Sequence, residues 1–331
     1  MTSKPVIVIQ NTYFHFETAI SLYKALEDSG FNVVYYRYHI NHFDQYDLLK
    51  KMKVKICDQI HIDDCICGFV ISAYCNYLEN IPNSNYEIFS KLINKLIFIT
   101  HRFDKEEEYD CKVKIKNKKI REVELKKENC LCLSPLSNSI GVDYFLPISF
   151  PICPNFLSLG KKINFTIPSH FELVNRNLDI FNILSDYKNI QIKLLGTNSS
   201  KVKFSNINCE SHDAVTERIF YSILKNETHF LLPSIDPETK DGIYLKQRYS
   251  SNFNHSWALE KPIIAHFDFK EIYQTPGFYY KNNEELKNII EHVSHMSNEE
   301  YHSLVFQFKE IKEKYKDYNK RILSKKIEQF I

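Results

Sequence analysis

Short apolar runs alternate along this chain with segments whose apolar residues recur every three or four positions. The first run, residues 6–10, follows Pro5, and residues 14–29 then carry apolar side chains at helical spacing. Gly30 comes next, which is typical of a helix end. Strand–helix–strand alternation of this kind indicates a parallel sheet with helices on both faces. This feature constrains the fold most, and it predicts an α/β protein.

The alternation is present in both halves of the 331-residue chain. In the first half, the predicted strands are residues 6–10, 31–36, 67–72 and 96–100, with a helix at 86–93. In the second half, strands at 164–167, 190–195, 229–232 and 262–265 alternate with helices at 177–187, 213–225, 250–259, 284–294 and 298–330.

A Pro-rich stretch near residues 151–160 separates the two halves. At roughly 100–200 residues per domain, we predict two Rossmann-like domains facing a cleft. Residues 1–155 form the first and residues 156–331 the second, and the last helix is one that could pack back on the first domain.

Composition excludes several classes of protein. Lys and Arg total 43 against 41 Asp and Glu, so the chain lacks the basic excess of a dedicated nucleic-acid binder. With 7 glycines it has neither G-x-G-x-x-G nor a P-loop. The nine cysteines have no metal-ligand spacing, and no apolar run approaches the ~20 residues of a membrane span. We therefore expect reduced thiols, a cytoplasmic protein, no transmembrane segment, no metal and no cofactor.

Polar and basic residues follow the predicted strands. Ligands of open parallel sheets bind beyond the carboxyl ends of the strands, at helix N-termini. His101 follows the run 96–100 in the first half. In the second half, the corresponding residues are Ser169, Arg176, Lys246, Arg248, Ser250, Ser251 and Asn252. This pattern suggests an anionic ligand, although solvated helix ends and simple capping would place the same residue types there.

Two segments of the second half carry a resemblance to a known family. Residues 163–196 and residues 228–265, which include Lys261-Pro262 before an apolar run, resemble the donor-binding domain of GT-B glycosyltransferases. They are most similar to the retaining glycosyltransferase-4-type branch. The run LIFITHR, residues 96–102, resembles the family's strand that ends in a cleft histidine. The resemblance extends over the whole chain, but it is fairly specific only in the second half.

The chain also departs from the family pattern. The family has a Gly-Arg pair where this chain has Pro168-Ser169, and glutamates at the positions of Gln247 and His255. Some relatives instead use a Ser-rich helix start, which residues 250–252 would supply. These departures put catalytic competence, rather than the fold, in question.

The resemblance implies a metal-independent transfer of a sugar, with retention, from a nucleotide sugar. A UDP-sugar is the first donor to consider, and the acceptor could be a glycan, a lipid or a protein. Arg176 would meet the diphosphate, together with Ser169, Lys246, Arg248 and residues 250–252. His101 would contact the sugar or acceptor as a catalytic group, the alternative being an ordinary strand-end histidine.

Other functions and states remain open. A non-catalytic GT-B relative that binds sugars or nucleotides in an assembly is the main alternative to an enzyme. A sugar-nucleotide epimerase is a third hypothesis, for which paired acidic residues are not evident. A homodimer is also open.

Overall fold

In the computed structural model, the residues described are 4–10, 15–37, 43–57, 65–71, 91–100, 111–115, 121–150, 152–169, 171, 179–202, 208–235, 237–238, 242–246 and 249–331. The chain divides into two compact units. Unit 1 comprises Met1–Pro151, Gln247–Tyr249 and Lys314–Ile331, and unit 2 comprises Ile152–Lys246 and Ser250–Glu313.

Unit 1 is built on a parallel sheet. Its elements are β1 (Val6–Gln10), α1 (Phe16–Asp28), β2 (Val33–Arg37), α2 (Phe43–Lys51), β3 (Gly68–Ile71), β4 (Leu96–Thr100), β5 (Cys111–Ile115), β6 (Arg121–Leu125) and β7 (Cys130–Cys132). The sheet has the order β2-β1-β3-β4-β7, and every neighbouring pair is parallel. All residues of β1, β3 and β4 are buried. These apolar runs therefore form the centre of the core of unit 1, as expected for strands covered on both faces.

Unit 2 contains a second parallel sheet. Its elements are β8 (Ile163–Pro168), α3 (Asp179–Leu184), β9 (Ile190–Leu195), β10 (Cys209–His212), α4 (Glu217–Asn226), β11 (Phe230–Leu231), α5 (Ile243–Lys246), α6 (Ser251–Leu259), β12 (Ile263–His266), α7 (Asp268–Tyr273), β13 (Gly277–Tyr280), α8 (Asn283–Ser294) and α9 (Asn298–Glu328). The strand order is β10-β9-β8-β11-β12-β13, again parallel throughout. Its core brings side chains of β8 and β9 together with those of α3, α8 and the first turns of α9.

The predicted α/β architecture is confirmed. Strands β1, β4 and β9 have the predicted bounds, and α6 begins one residue after the predicted start. The helix predicted at residues 86–93 lies mostly outside the described residues. Strands β10 and β13, helix α7 and the β5–β6 hairpin were not predicted.

The charge-rich stretch at residues 104–127 contains the β5–β6 hairpin. β5 and β6 pair as an antiparallel ladder that forms a two-stranded sheet of its own. Its register places Lys112 opposite Glu124 and Lys114 opposite Glu122. This register therefore pairs residues of opposite charge in the sequence.

The C-terminal part of α9 belongs to unit 1. The Asn319 side chain accepts from the Leu146 N–H at 3.1 Å and donates to the Leu146 carbonyl oxygen at 2.7 Å. Buried Lys326 lies 3.2 Å from the carboxylate of Asp143. Among the described helices, none is long and apolar enough to cross a membrane.

Candidate functional site

One edge of the unit 2 sheet collects the ends of β8, β9 and β11, because these strands are parallel. Along the chain, helix α6 connects β11 to β12, and these two strands are also parallel. The helix must therefore run opposite to the strands, and its N-terminus lies at the same carboxyl edge. Parallel sheets bind ligands at this edge. Ser169, the residue after β8, and the start of α6 thus belong to one side of unit 2.

The loops after β8 and β9 approach each other closely. The Ser169 N–H donates to the Leu195 carbonyl oxygen at 3.0 Å. A Cβ at Gly196 would lie only 2.0 Å from the Ser169 carbonyl oxygen, and Gly196 has a φ of +139°. Only glycine accepts both the contact and this backbone conformation without strain. Gly196 therefore fixes the position of Ser169.

The turn after β9 is held by Asp213. Its carboxylate accepts the Asn198 N–H at 2.8 Å and also the Ser200 hydroxyl. The Ser200 hydrogen bond is the main cause that holds the pKa of Asp213 below its ordinary value. The ionised Asp213 carboxylate therefore orders this loop.

Ser250 is the N-cap residue of α6, as the predicted helix start requires. Its hydroxyl accepts the Asn252 side-chain amide at 3.3 Å and makes no capping bond to the backbone. The Phe253 N–H donates to the Ser250 carbonyl oxygen at 3.1 Å. The N–H groups that precede it at a helix start have no partner within the helix, so they can bind an anion. Ser251 is exposed, whereas Ser250 and Asn252 are buried.

Asn254 is a residue that the sequence interpretation missed. It is 0% exposed, and neither polar atom of its side-chain amide has a hydrogen-bond partner among the described residues. The Oδ1 atom of Asn252 is likewise buried and unpartnered. Buried polar atoms normally have hydrogen-bond partners, so these atoms call for a partner beyond the described residues, such as a water molecule or a ligand. The sequence clue is asparagine inside a helix, where its propensity is poor.

His255 is one of the two residues for which the resemblance predicts a glutamate. Its ring lies 5.3 Å from that of Phe220 and 5.9 Å from that of Tyr221, both edge-on. The side chain therefore belongs to the packing between α4 and α6. A carboxylate would be costly to bury among these rings.

Unit 1 has a polar carboxyl edge of its own. Gln10, at the end of β1, is buried and accepts the Tyr35 hydroxyl at 2.5 Å. His15 precedes α1 in a left-handed conformation with a φ of 61°, and its Nδ1 lies 3.6 Å from Glu17. Non-glycine residues in this conformation concentrate at functional sites. The sequence clue was a histidine between a strand and a helix, which our interpretation passed over.

Several predicted site residues lie outside the described part of the chain. These are His101, Arg176 and Arg248. Lys246 is the last residue of α5, but its side chain is also outside that part. Within the described residues, no group of His, Cys, Asp and Glu has an arrangement that could hold a metal ion. The roles assigned to the four basic and imidazole side chains remain predictions.

No protein-family model matches the chain, and no curated protein matches it in sequence. Solved structures are similar in fold. Anabaena Alr3699/HepE in complex with UDP and glucose superposes with a TM-score of 0.56 at 10% identity, covering 97% of this chain and 98% of that one. AviGT4, a glycosyltransferase involved in avilamycin A biosynthesis, gives a TM-score of 0.50 at 10% identity, with coverage of 96% and 98%.

These similarities extend over nearly the full length of each chain. At such low identity they concern the fold and not the activity. The protein has the α/β fold of GT-B glycosyltransferases, with two parallel-sheet units.

Proposed function

We propose that this protein is a glycosyltransferase that moves a sugar from a nucleotide sugar, with UDP-sugars as the first donors to test. The observation that carries the proposal is the start of α6. It lies at the carboxyl edge of the unit 2 sheet. Its first turns carry the buried Asn254 amide and the Asn252 Oδ1 atom, neither of which has a hydrogen-bond partner among the described residues. The similarity to a structure that contains UDP and glucose supports the choice of donor.

The chemistry requires stabilisation of a departing diphosphate and of a positively charged sugar. The free N–H groups at the start of α6 would meet the phosphates, with Arg176 as a bidentate partner. Ser169, Lys246, Arg248 and Ser251 would complete the donor site. His101 would act as a base or hydrogen-bond a sugar or acceptor hydroxyl. The acceptor, a retaining outcome, a cytoplasmic location and any dimer are further proposals for experiment.

A second candidate is a non-catalytic GT-B relative that binds sugars or nucleotides as an assembly module. The packing of His255 against Phe220 and Tyr221 favours it, because a position expected to carry a carboxylate is used for helix packing. Binding of the donor without turnover would distinguish this protein from an enzyme.

A thermal-shift panel of UDP, ADP, UMP and several UDP-sugars tests the donor. A ligand at about 100-fold its Kd adds roughly 2.7 kcal/mol of stability, so binding raises the melting temperature visibly. We expect UDP to stabilise more than UMP, since the helix start binds the second phosphate. No stabilisation by any nucleotide or nucleotide sugar would contradict the glycosyltransferase and any module that binds nucleotides. Slow hydrolysis of a bound UDP-sugar would support the enzyme over the module.

Metal independence is tested with the same assay. Cationic side chains and a helix N-terminus would supply the charge that a metal supplies elsewhere. We expect EDTA to leave the UDP-dependent rise in melting temperature unchanged. A strict requirement for Mg²⁺ or Mn²⁺ would contradict this mechanism.

A further inference from the structure

We call residues 155–159 the strap. They lie near the start of unit 2, whose first segment follows Pro151 of unit 1. Asn298 holds Leu159 in both directions. Its side chain accepts the Leu159 N–H at 2.6 Å and donates to the Leu159 carbonyl oxygen at 3.3 Å. The Asn155 side chain donates to Asn226 at 3.3 Å. The strap is therefore fastened to unit 2 rather than free.

The buried side chain of His229 also contacts the strap. Its Nδ1 atom accepts the Asn164 N–H at 3.0 Å, and its Nε2 atom lies 3.2 Å from the Ser158 carbonyl oxygen. A backbone N–H only donates and a carbonyl oxygen only accepts, so Nδ1 carries no proton and Nε2 carries one. The geometry thus requires a neutral imidazole. A second proton on Nδ1 would face the Asn164 N–H, donor against donor.

Lys261 is the second buried anchor and is 1% exposed. Its ammonium donates to the Asn155 carbonyl oxygen at 3.0 Å. Burial lowers the pKa of Lys261 to about 8, which leaves most of this side chain charged at neutral pH. Burial also lowers the pKa of His229. The hydrogen bond to the Ser158 carbonyl oxygen acts in the opposite direction without cancelling this effect, and the positive charge of Lys261 lowers the pKa further.

The other titratable groups near these anchors do not offset a second positive charge at His229. Tyr301 of α9 lies edge-on to His229, 6.0 Å between ring centres, and its hydroxyl donates to the His229 carbonyl oxygen. Burial raises the pKa of Tyr301, so this hydroxyl stays neutral. Glu260 and Lys225 act on Lys261 with opposite signs.

We propose that binding of the strap to the rest of unit 2 depends on pH. The neutral His229 imidazole keeps the strap bound, and protonation of His229 releases it. Protonation breaks the bond to the Asn164 N–H and places a second cation near the buried Lys261. Because an exposed histidine binds its proton near pH 6.5, acid favours the released form below that value. This inference is independent of the proposed glycosyl transfer.

Hydrogen–deuterium exchange of the full-length protein tests it, with rates corrected for the intrinsic effect of pH. Between about pH 7.5 and about pH 5, the corrected exchange of peptides covering 155–160 should rise by up to tenfold per pH unit once the pH falls below about 6.5, the pKa of an exposed histidine. Peptides from β9 should keep their protection. Loss of protection in β9 at the same pH would mean general unfolding and would overturn the proposal.

Two histidine variants separate the switch from a general acid effect. Gln at position 229 still donates to the Ser158 carbonyl oxygen but does not titrate, so H229Q should remove the acid response. H302Q is the matched control, because exposed His302 contacts the Leu157 carbonyl oxygen at 3.3 Å as a donor in either charge state. It should keep the response of the natural protein. An equal acid response in H229Q would overturn the proposal.

A third variant tests the role of the neighbouring charge without depending on H229Q folding. K261M removes the cation near His229, so the midpoint of the acid response should move to higher pH. An NMR titration of the His229 ring should show the same displacement. An unchanged or lower midpoint would contradict the electrostatic part of the proposal.

Discussion

A side chain at position 196 has no room, because its Cβ would meet the Ser169 carbonyl oxygen at 2.0 Å in a backbone conformation with φ of +139°. We expect Gly196→Ala to lower the free energy of unfolding by about 2 kcal/mol or more, since contact and strain add. Gly160→Ala is the control, because nothing lies within 4 Å of its Cβ position. Denaturant unfolding of both variants measures the difference. Equal stability of the two would contradict the assigned role of Gly196.

Arg176 is the residue for which the sequence makes the sharpest binding prediction. If its guanidinium meets the diphosphate, Arg176→Ala should weaken UDP binding by roughly 1.5–3 kcal/mol, or about 10- to 100-fold in Kd. The melting temperature without ligand should hardly change. Calorimetry of UDP binding measures the effect.

Lys188→Ala supplies the charge-matched control for Arg176→Ala. Lys188 is exposed and precedes β9, so it lies at the amino edge of the sheet, away from the proposed donor site. UDP affinity should not change in this variant. An unchanged Kd for Arg176→Ala would remove Arg176 from the site.

At the scale of elements, one buried side chain joins the C-terminal part of α9 to the rest of unit 1 by two hydrogen bonds. Asn319 is buried and pairs with both backbone polar groups of Leu146. Asn319→Ala would leave that N–H and carbonyl oxygen unsatisfied, at a cost of roughly 2–4 kcal/mol. Exposed Lys320→Ala should remain within about 0.5 kcal/mol of the natural protein. Thermal unfolding tests both, and similar melting temperatures would contradict the role of Asn319.

Burial decides which strands could be predicted from sequence. β1 and β4 are buried at every residue, so they are uninterrupted apolar runs and their bounds were predicted without error. β10 lies at the edge of its sheet with the sequence CESH, none of it fully buried. β10 pairs with β9 through its backbone, and it has no run of apolar residues that would identify it as a strand. The edge strand was therefore missed.

The candidate site was predictable only in part. Parallel topology places the start of α6 at the carboxyl edge, and the topology followed from the alternation of apolar runs. The unsatisfied amide of Asn254 depends on burial by the surrounding tertiary structure, which residue spacing does not give. The same holds for His255, whose aromatic neighbours come from α4.

At the scale of the whole molecule, the sequence assigns nucleotide binding to the second domain and the reacting hydroxyl groups to His101 in the first. Nucleotide binding and sugar transfer should then respond differently to a substitution of His101. His101→Ala should reduce sugar transfer or donor hydrolysis by ~10²-fold or more, because a general base or orienting group is lost. The Kd for UDP should change little, since His101 would contact only the sugar or the acceptor. Exposed His295, which follows α8, gives the control variant His295→Ala. Turnover and UDP affinity are measured on the same preparations of both variants. Equal turnover in the two variants would mean that His101 is a structural histidine. If UDP affinity fell in His101→Ala as much as turnover, His101 would belong to the donor site instead.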